Sequence, residues 1–330
     1  MRNKEADVPF CGVSEERIKN AKPVLSKKAL LYLYEFITQR YMIHLKKDVL
    51  KETPPWTTDQ VLRDFRFTNI RREHDKESKW VIEHITNNPE LCYEDKLLNV
   101  ILFRLFNKHE TAELIEQPIQ FYHGYDPEKY RPIFESVKKD YPAYIFFTGA
   151  FITGGMKREL KWYLPNGTKE DSMPMRVMRF IHYLYQDGVI DKIKSCTTQK
   201  EVYDLLRGYL GIGDFLAYQF FVDMTYIKEF PFSENEFTVA GPGCVRGLNY
   251  LFKDRDGMSY EECLFWLRDN LDRLFAKTLK KDWSPKKLFW DLPEEDCCFN
   301  VMSLENCFCE LSKYIRAKEG TGRPKKRYRA

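Results

Sequence analysis

From Ser26 to about Lys51, apolar side chains recur at Leu30, Leu33, Tyr34, Ile37, Tyr41 and Leu45. That i, i+3, i+4 spacing lays one stripe along a helix. Ser26 is placed to cap its start. Pro54-Pro55 ends the segment, because proline has no amide hydrogen and a fixed φ. Thr57 or Thr58 is expected to cap the next helix. The same spacing predicts helices near 73–87, 94–107, 127–140, 174–187, 198–209, 213–227, 259–277 and 303–317. Strand signals are few. Tyr144 to Phe147 is a short apolar run that reads equally well as the opening of a buried helix. An all-α fold follows, with two interleaved helical lobes. Turn signals at Gly154-Gly155 and Pro165-Asn166-Gly167 put a lobe boundary near 154–167. Residues 1–25 read as an N-terminal arm, 26–317 as the helical domain and 318–330 as a tail.

Composition narrows this picture. The 330 residues are 43% hydrophobic and 31% charged, enough for a packed core and unlike a disordered chain. No apolar run reaches the ~18 residues of a membrane span. The start, MRNKEADVPF, has no apolar signal core, so the expectation is an intracellular protein with no membrane partner. Nine cysteines with no Cys-x-x-Cys pair suggest reduced thiols. His44, His74, His84, His109, His123 and His182 show no metal-ligand spacing, and no metal is expected. Net charge is only +4, but the tail KEGTGRPKKRYRA carries six basic residues and one acid. Such a tail either adds phosphate affinity by counterion release or is a solvated end.

Several chemistries lose weight. The sequence has no Gly-x-x-x-x-Gly-Lys-Ser/Thr loop, and Gly149 to Lys157 only loosely imitates one, broken by Met156. A dinucleotide fingerprint, His-Glu-x-x-His and Gly-x-Ser-x-Gly are likewise missing.

Three segments carry chemistry. In the first, a helix ends at Gly208, Leu210-Gly211-Ile212-Gly213 makes a tight turn, and a new helix opens at Asp214. Helix, Gly-x-Gly turn, helix is the pattern of a helix-hairpin-helix element. Glycine lets the backbone take positive φ and approach a ligand. The amides that open the new helix favour an anion such as a DNA phosphate. A plain helical turn with a terminal glycine is the simpler reading. Glu234 and Glu236 stand 23 and 25 positions after Gly211 and precede Ala240-Gly241-Pro242-Gly243, where another helix is expected near Pro242. A carboxylate there can stabilise a cation or take a proton from a nucleophile. Arg246 lies one turn further on, able to hold a phosphate or pair with Glu236.

The second segment, Trp56 to Trp80, interleaves Arg63, Arg66, Arg71 and Arg72 with Phe65, Phe67 and Ile70. Basic and aromatic side chains together clamp phosphates and stack bases. An ion-pair network is the plainer account. If Asn69 begins a helix, Arg72, Asp75 and Lys76 share one side. The third segment, Ser303 to Tyr314, aligns Asn306, Cys309, Glu310 and Lys313 on one helix face. Cys309 reads as a buried small residue rather than a nucleophile.

Together these segments resemble the α-glutamyl/putrescinyl thymine pyrophosphorylase family, amino acid:DNA transferases related to the helical domain of 5-hydroxymethyluracil DNA kinases. The matching blocks are Trp56-Thr-Thr-Asp59 with Phe65-Arg66-Phe67-Thr-Asn69-Ile-Arg71; Gly211-x-Gly213-Asp-Phe215-Leu-Ala217-Tyr-Gln219 with Asp223 and Tyr226; Ser233-Glu234-x-Glu236-Phe237 with Ala240-Gly-Pro-Gly243 and Arg246-Gly247; and Glu305-Asn306-x-x-Cys309-Glu310-x-x-Lys313-Tyr314. They span about residues 30 to 317.

The resemblance implies a DNA-glycosylase-like, two-lobed helical fold containing a helix-hairpin-helix, found largely in bacteriophages that hypermodify thymine. It implies base modification by residues 26–317. In that chemistry an amine or amino acid displaces pyrophosphate from a phosphorylated 5-hydroxymethyluracil in DNA. Glu236, Glu234 and Asp223 are then the catalytic candidates. Gly211, Gly213, Arg66, Asn69, Arg71, Arg72, Gly241, Gly243, Arg246 and Lys313 are candidates for DNA or phosphate. A flipped base would be lined by Tyr218, Gln219, Tyr226 and Phe237. No cofactor is required, although Mg²⁺ can accompany pyrophosphate. The partners implied are DNA carrying a modified pyrimidine and the amine co-substrate. The place implied is the host cytoplasm for a phage protein, or the nucleus for a eukaryotic one. A DNA glycosylase proper and a non-catalytic binder of modified DNA remain the rival readings.

Overall fold

The computed structural model describes residues 13–148, 171–322, 324 and 327. The chain forms two compact units, Met1–His74 with Thr238–Ala330, and Asp75–Phe237. The boundary expected near 154–167 lies outside the described residues, as does the loop-like stretch from Gly149 to Lys157.

The first unit opens with α1 (Glu15–Asn20), α2 (Lys27–His44) and α3 (Gln60–Asp64). The second holds α4 (Lys76–Val81), α5 (Tyr93–Phe106), α6 (His109–Leu114), α7 (Arg131–Asp140), α8 (Met173–Gln186), α9 (Val189–Ser195), α10 (Gln199–Arg207) and α11 (Asp214–Met224). The chain then completes the first unit with α12 (Pro242–Leu251), α13 (Tyr260–Arg273), α14 (Pro285–Leu288) and α15 (Val301–Lys318). Among the described residues the one sheet pairs β1 (Val24–Leu25) antiparallel with β2 (Phe252–Asp254), so the fold is mostly helical.

Local rules explain most helix ends. The Ser26 hydroxyl accepts the Ala29 N–H at 3.3 Å and starts α2, whose last turn widens into a π-helical turn at Leu45–Val49. Asp59, rather than Thr57 or Thr58, caps α3. Its Oδ1 accepts the N–H groups of Val61 and Leu62 at 2.9 and 3.1 Å. The Thr57 hydroxyl is occupied elsewhere, donating to Gln39 Oε1 at 2.8 Å. Tyr144 to Phe147 is neither strand nor helix. Side chains hold that run instead: the Thr111 hydroxyl donates to the Phe146 carbonyl at 2.8 Å, and Lys108 Nζ to the Ile145 carbonyl at 2.6 Å.

The core of the first unit includes Phe36, Ile37, Tyr41, Leu248, Leu264, Phe275, Phe308 and Tyr314. Each such burial contributes roughly 1.5–3 kcal/mol relative to exposure. Helices α12 and α15 approach closely through two glycines. A Cβ on Gly243 would strike Cys309 Sγ, and one on Gly247 would strike the Phe308 carbonyl. In the second unit, α5 is buried on all sides from Asp95 to Phe106. Its Asn99 therefore needs internal partners and finds them in the Ile119 amide and carbonyl, at 2.8 and 2.7 Å.

Candidate active site

The predicted site residues divide between the two units. In the second unit, α10 and α11 flank a turn whose Gly211 has φ +89°, a left-handed conformation that favours glycine. Gly213 precedes α11 with extended backbone, and a Cβ there would meet open space. The turn faces outward, with Leu210 and Phe215 exposed and Ile212 buried. Asp214 in the first turn of α11 pairs with Arg207 at 2.7 Å.

Glu234 and Glu236 sit on the turn that follows Ser233, not at the start of a helix. Glu236 is exposed and accepts a hydrogen bond from the Gln199 amide, at the opposite end of α10 from the glycine turn. Nine residues of helix separate those ends by about 13 Å. Tyr218, Gln219 and Phe237 are buried, and Tyr226 is half-buried. Phe237 packs edge-on against Phe221 at 5.3 Å and lies 5.5 Å from Tyr203 and 6.5 Å from Tyr218. Tyr218 and Phe237, both expected at the base pocket, thus share one aromatic cluster with Tyr203 and Phe221.

Asp223 needs a different account from the catalytic one. It is fully enclosed and bound by Arg104 through one guanidinium edge, Nε and Nη2 each donating to a carboxylate oxygen, with the Nη2–Oδ1 distance at 2.8 Å. Arg104 also reaches Asn107 and Ser78, at 2.6 and 2.9 Å. A buried, two-pronged pair inside such a network is an internal counter-ion joining α5 to α11.

In the first unit, α15 is the spine on which the separated motifs meet. Asn306 Nδ2 donates to the Asn69 carbonyl at 3.2 Å and to the Thr68 hydroxyl at 3.1 Å. The Tyr314 hydroxyl donates to Asp59 at 2.6 Å, and Lys318 Nζ approaches the same carboxylate at 2.8 Å. Burial pushes Asp59 up, but Lys318, Tyr314 and the Leu62 amide outweigh it and hold the carboxyl below its ordinary range. Arg71, expected at a phosphate, is buried. It bonds Glu73 at 2.5 Å and the carbonyls of Asp296 and Cys298 at 3.1 and 2.8 Å. Asn69 is also buried and does not start a helix. Its side chain donates to the His74 carbonyl at 2.9 Å. Both residues shape the loop instead of facing solvent. Gly243 is a close-packing residue against Cys309, so its small size is explained by a neighbouring helix rather than by an approaching phosphate.

The chemistry of this unit centres on Glu305. Its Oε1 accepts the Gly241 N–H at 3.2 Å, while Glu261 Oε1 accepts the adjoining Ala240 N–H at 3.0 Å. Two carboxylates therefore hold successive amides where α12 begins. Burial pushes Glu305 up to about 7. Arg72 and the Gly241 amide oppose that rise, and Glu261 and Glu310 add to it. Glu310 pairs with Lys313 at 2.5 Å. Burial pulls the Lys313 ammonium down, but Glu310 more than compensates and holds it above its ordinary value. Arg246 is exposed and close enough to bias the Cys309 thiol, and among the described residues no ion pair engages it. Burial pushes Cys309 up to about 11, so it is a poor nucleophile. A carboxyl poised near neutrality, with the Arg72 guanidinium beside it, can exchange a proton with a ligand.

Gly241 and Arg72, expected at a phosphate, act on this acid, while Lys313 and Arg246 act on Cys309 nearby; Glu305 and Glu261 were not expected as acids. One signal was present: Glu305 shares the α15 face with Cys309 and Lys313. A backbone bridge pairs Phe65 with Arg327, and exposed Arg66 follows Phe65 in the chain.

Among the described residues no helix is long and apolar enough to cross a membrane. No solved structure matches the chain. A 5-hmdU DNA kinase of Bacillus phage SP10 is 25% identical over 303 residues, covering 84% of this chain and 44% of the relative. The chain thus spans less than half the length of that relative. The model of the 5-hmdU DNA kinase helical domain matches residues 27–323, nearly the whole sequence, and the chain belongs to that family.

Proposed function

We propose that this chain modifies 5-hydroxymethyluracil in DNA as a transferase, exchanging a pyrophosphate on the base's methylene carbon for an amine or amino acid. The observation that carries the reading is the family match across 27–323. In this reading the 330 residues take a phosphorylated base as substrate. In this reaction a C–N bond forms at the methylene carbon and the C–O bond to pyrophosphate breaks. The electron pair departs on the pyrophosphate oxygen, and the amine's proton passes to a carboxylate.

Glu305 is the preferred base, because a group titrating near 7 is matched to deprotonating an amine at neutral pH. Glu236 and Glu234, exposed and half-buried respectively, are kept as secondary candidates that would contact a DNA-bound base. Arg246, Arg72 and Lys313 supply positive charge for the leaving pyrophosphate, which brings Mg²⁺ with it where the ion is present. The outward glycine turn, with its exposed Leu210 and Phe215, is assigned to the sugar-phosphate strand in the manner of a helix-hairpin-helix. The fold is read as two-lobed and glycosylase-like on the same grounds, with the target base extruded from its stack. The basic tail from 318 is read as added phosphate affinity.

The test is to incubate DNA bearing pyrophosphorylated 5-hydroxymethyluracil with the protein and a panel of amines. Pyrophosphate release with a mass-shifted nucleoside is expected. A free base with an abasic site would instead mark an N-glycosidic hydrolase. Tight binding without turnover of any amine would mark a reader of modified DNA.

A further inference from the structure

Helix α8, in the second unit, buries Val177, Met178, Phe180, Ile181 and Leu184 on one face. On the opposite face Arg176, Arg179, Tyr183 and Gln186 recur at three- and four-residue steps, half-buried or exposed. The two arginines differ in what they touch. Arg179 reaches Glu128 at 2.5 Å and Asp171 at 2.8 Å, and Arg131 closes the same ring, at 2.8 Å to Glu128 and 2.7 Å to Asp171. Two guanidinium groups and two carboxylates cancel there. Arg176 stands outside that ring. Its Nε is enclosed and, among the described residues, has no hydrogen-bond partner. A guanidinium edge shut away from water and bonded to nothing is costly until an anion reaches it.

This stripe leads to the glycine turn. The Tyr183 ring meets the Tyr209 ring edge-on, with centroids 6.4 Å apart and 81° between the planes. Tyr209 stands two positions before Gly211. The acid at the junction, Asp187, accepts the Tyr209 hydroxyl at 2.7 Å and pairs with Lys192 at 2.6 Å, so its charge is neutralised. Lys192 Nζ also lies 5.9 Å from the centre of the Tyr209 ring. Leu210 and Phe215 continue the line as exposed apolar groups. Basic and aromatic groups in one row suit a nucleic-acid strand, which offers phosphates to the first and bases to the second. Seven residues of helix put Tyr183 about 10 Å from Arg176. With the 6.4 Å ring contact, the row from Arg176 to Tyr209 is about 17 Å long. That is about five nucleotide steps at roughly 3.4 Å per phosphate on one strand.

We propose that a DNA strand gripped at the Leu210–Gly213 turn continues over Tyr183 along α8, and that Arg176 holds one of its phosphates about five nucleotides from the turn. The path deepens the reading of the chain as a DNA-modifying protein and rests on it. Neither Arg176 nor Tyr183 lies in the motif blocks that suggested that chemistry. Their part is to fix the strand's direction and register, since a phosphate contact positions DNA without reading its sequence.

The test titrates the full chain with a fluorescent DNA oligonucleotide bearing 5-hydroxymethyluracil, at several salt concentrations. Arg176→Gln should lower the slope of log affinity against log salt by about one, the loss of one phosphate contact. Arg176→Lys keeps the charge and should keep the slope. Tyr183→Ala should weaken binding about 5- to 150-fold with the slope unchanged. Lys277→Gln, in the first unit, should change neither. In the wild type, iodouracil scanned along the strand should cross-link within Met173–Gln186 on irradiation, read by peptide mass spectrometry. An unchanged slope in folded Arg176→Gln, or an equal fall in Lys277→Gln, overturns the proposal. So do wild-type cross-links that all lie outside α8, a result that needs no variant to fold. A wild-type chain that binds no DNA removes the DNA reading itself. A chain that binds and turns over DNA but fails these measurements loses only the path along α8.

Discussion

Glu305 accepts the backbone N–H of Gly241 across 64 positions of sequence, so a buried carboxylate occupies the start of α12. The helix's partial positive charge and Arg72 make that acid tolerable, while burial and two neighbouring acids hold it near neutral titration.

If Glu305 is the base, Glu305→Gln keeps the acceptor for Gly241 but cannot take a proton. Turnover should fall roughly 10²–10⁴-fold with DNA affinity unchanged. In the wild type, the rate should rise with pH through about 7 and then level off, because the ionised form does the work. Steady-state rates across pH 5.5–8.5 decide this, and a profile flat through that window would exclude Glu305.

The same group has a stability signature. Its folded value, about 7, lies above the ordinary carboxylate value, so the native state holds this proton more tightly than the unfolded chain. Stability therefore falls as pH rises from about 4.5 to about 7 and levels beyond, by a total of about 3 kcal/mol from this residue. Glu305→Gln should remove that slope. Urea denaturation at a series of pH values will show whether it does.

Gly243 and Gly247 allow α12 to lie against α15. Gly247→Ala drives a methyl into the Phe308 backbone and should cost about 1–3 kcal/mol or more, since overpacking against main chain has no cheap escape. Gly243→Ala meets the Cys309 side chain instead, so adding Cys309→Ala should recover part of its loss. No second-site truncation should rescue Gly247→Ala. Thermal melts of Gly247→Ala, Gly243→Ala and the Gly243→Ala, Cys309→Ala double variant check this.

Asp223→Asn leaves Arg104 buried without its counter-charge and should lower stability by about 3–5 kcal/mol. Activity per folded molecule should survive. A variant with wild-type stability and no turnover would restore Asp223 to the catalytic list.

Arg246→Ala should weaken binding to phosphorylated-base DNA and reduce the slope of log affinity against log salt by about one. Neutralising the basic residues from Arg323 to Arg329 should flatten that slope further. Titrations at several salt concentrations separate the two contributions, and an unchanged slope would deny each its phosphate.

Much of the framework was legible in the sequence because it follows from nearest neighbours. The α2 stripe and its Ser26 cap, the Gly208–Gly213 turn and the start of α12 at Pro242 all obey local rules. Short helices such as α6 and α9 carry too few turns to show a period. Asp59 was passed over because two threonines beside it offered equally good caps. Its choice depends on Tyr314 and Lys318, which no local rule brings near.

What the chain's own order of residues determined, then, was periodicity, caps and the glycine turn, since each is settled within about four positions. Whether an acid is exposed or enclosed was left to the packing of helices distant in sequence. Glu236 and Glu305 look alike as letters. One lies in solvent beside Gln199, and the other loses its water between α12 and α15, and that burial pushes Glu305 up to about 7.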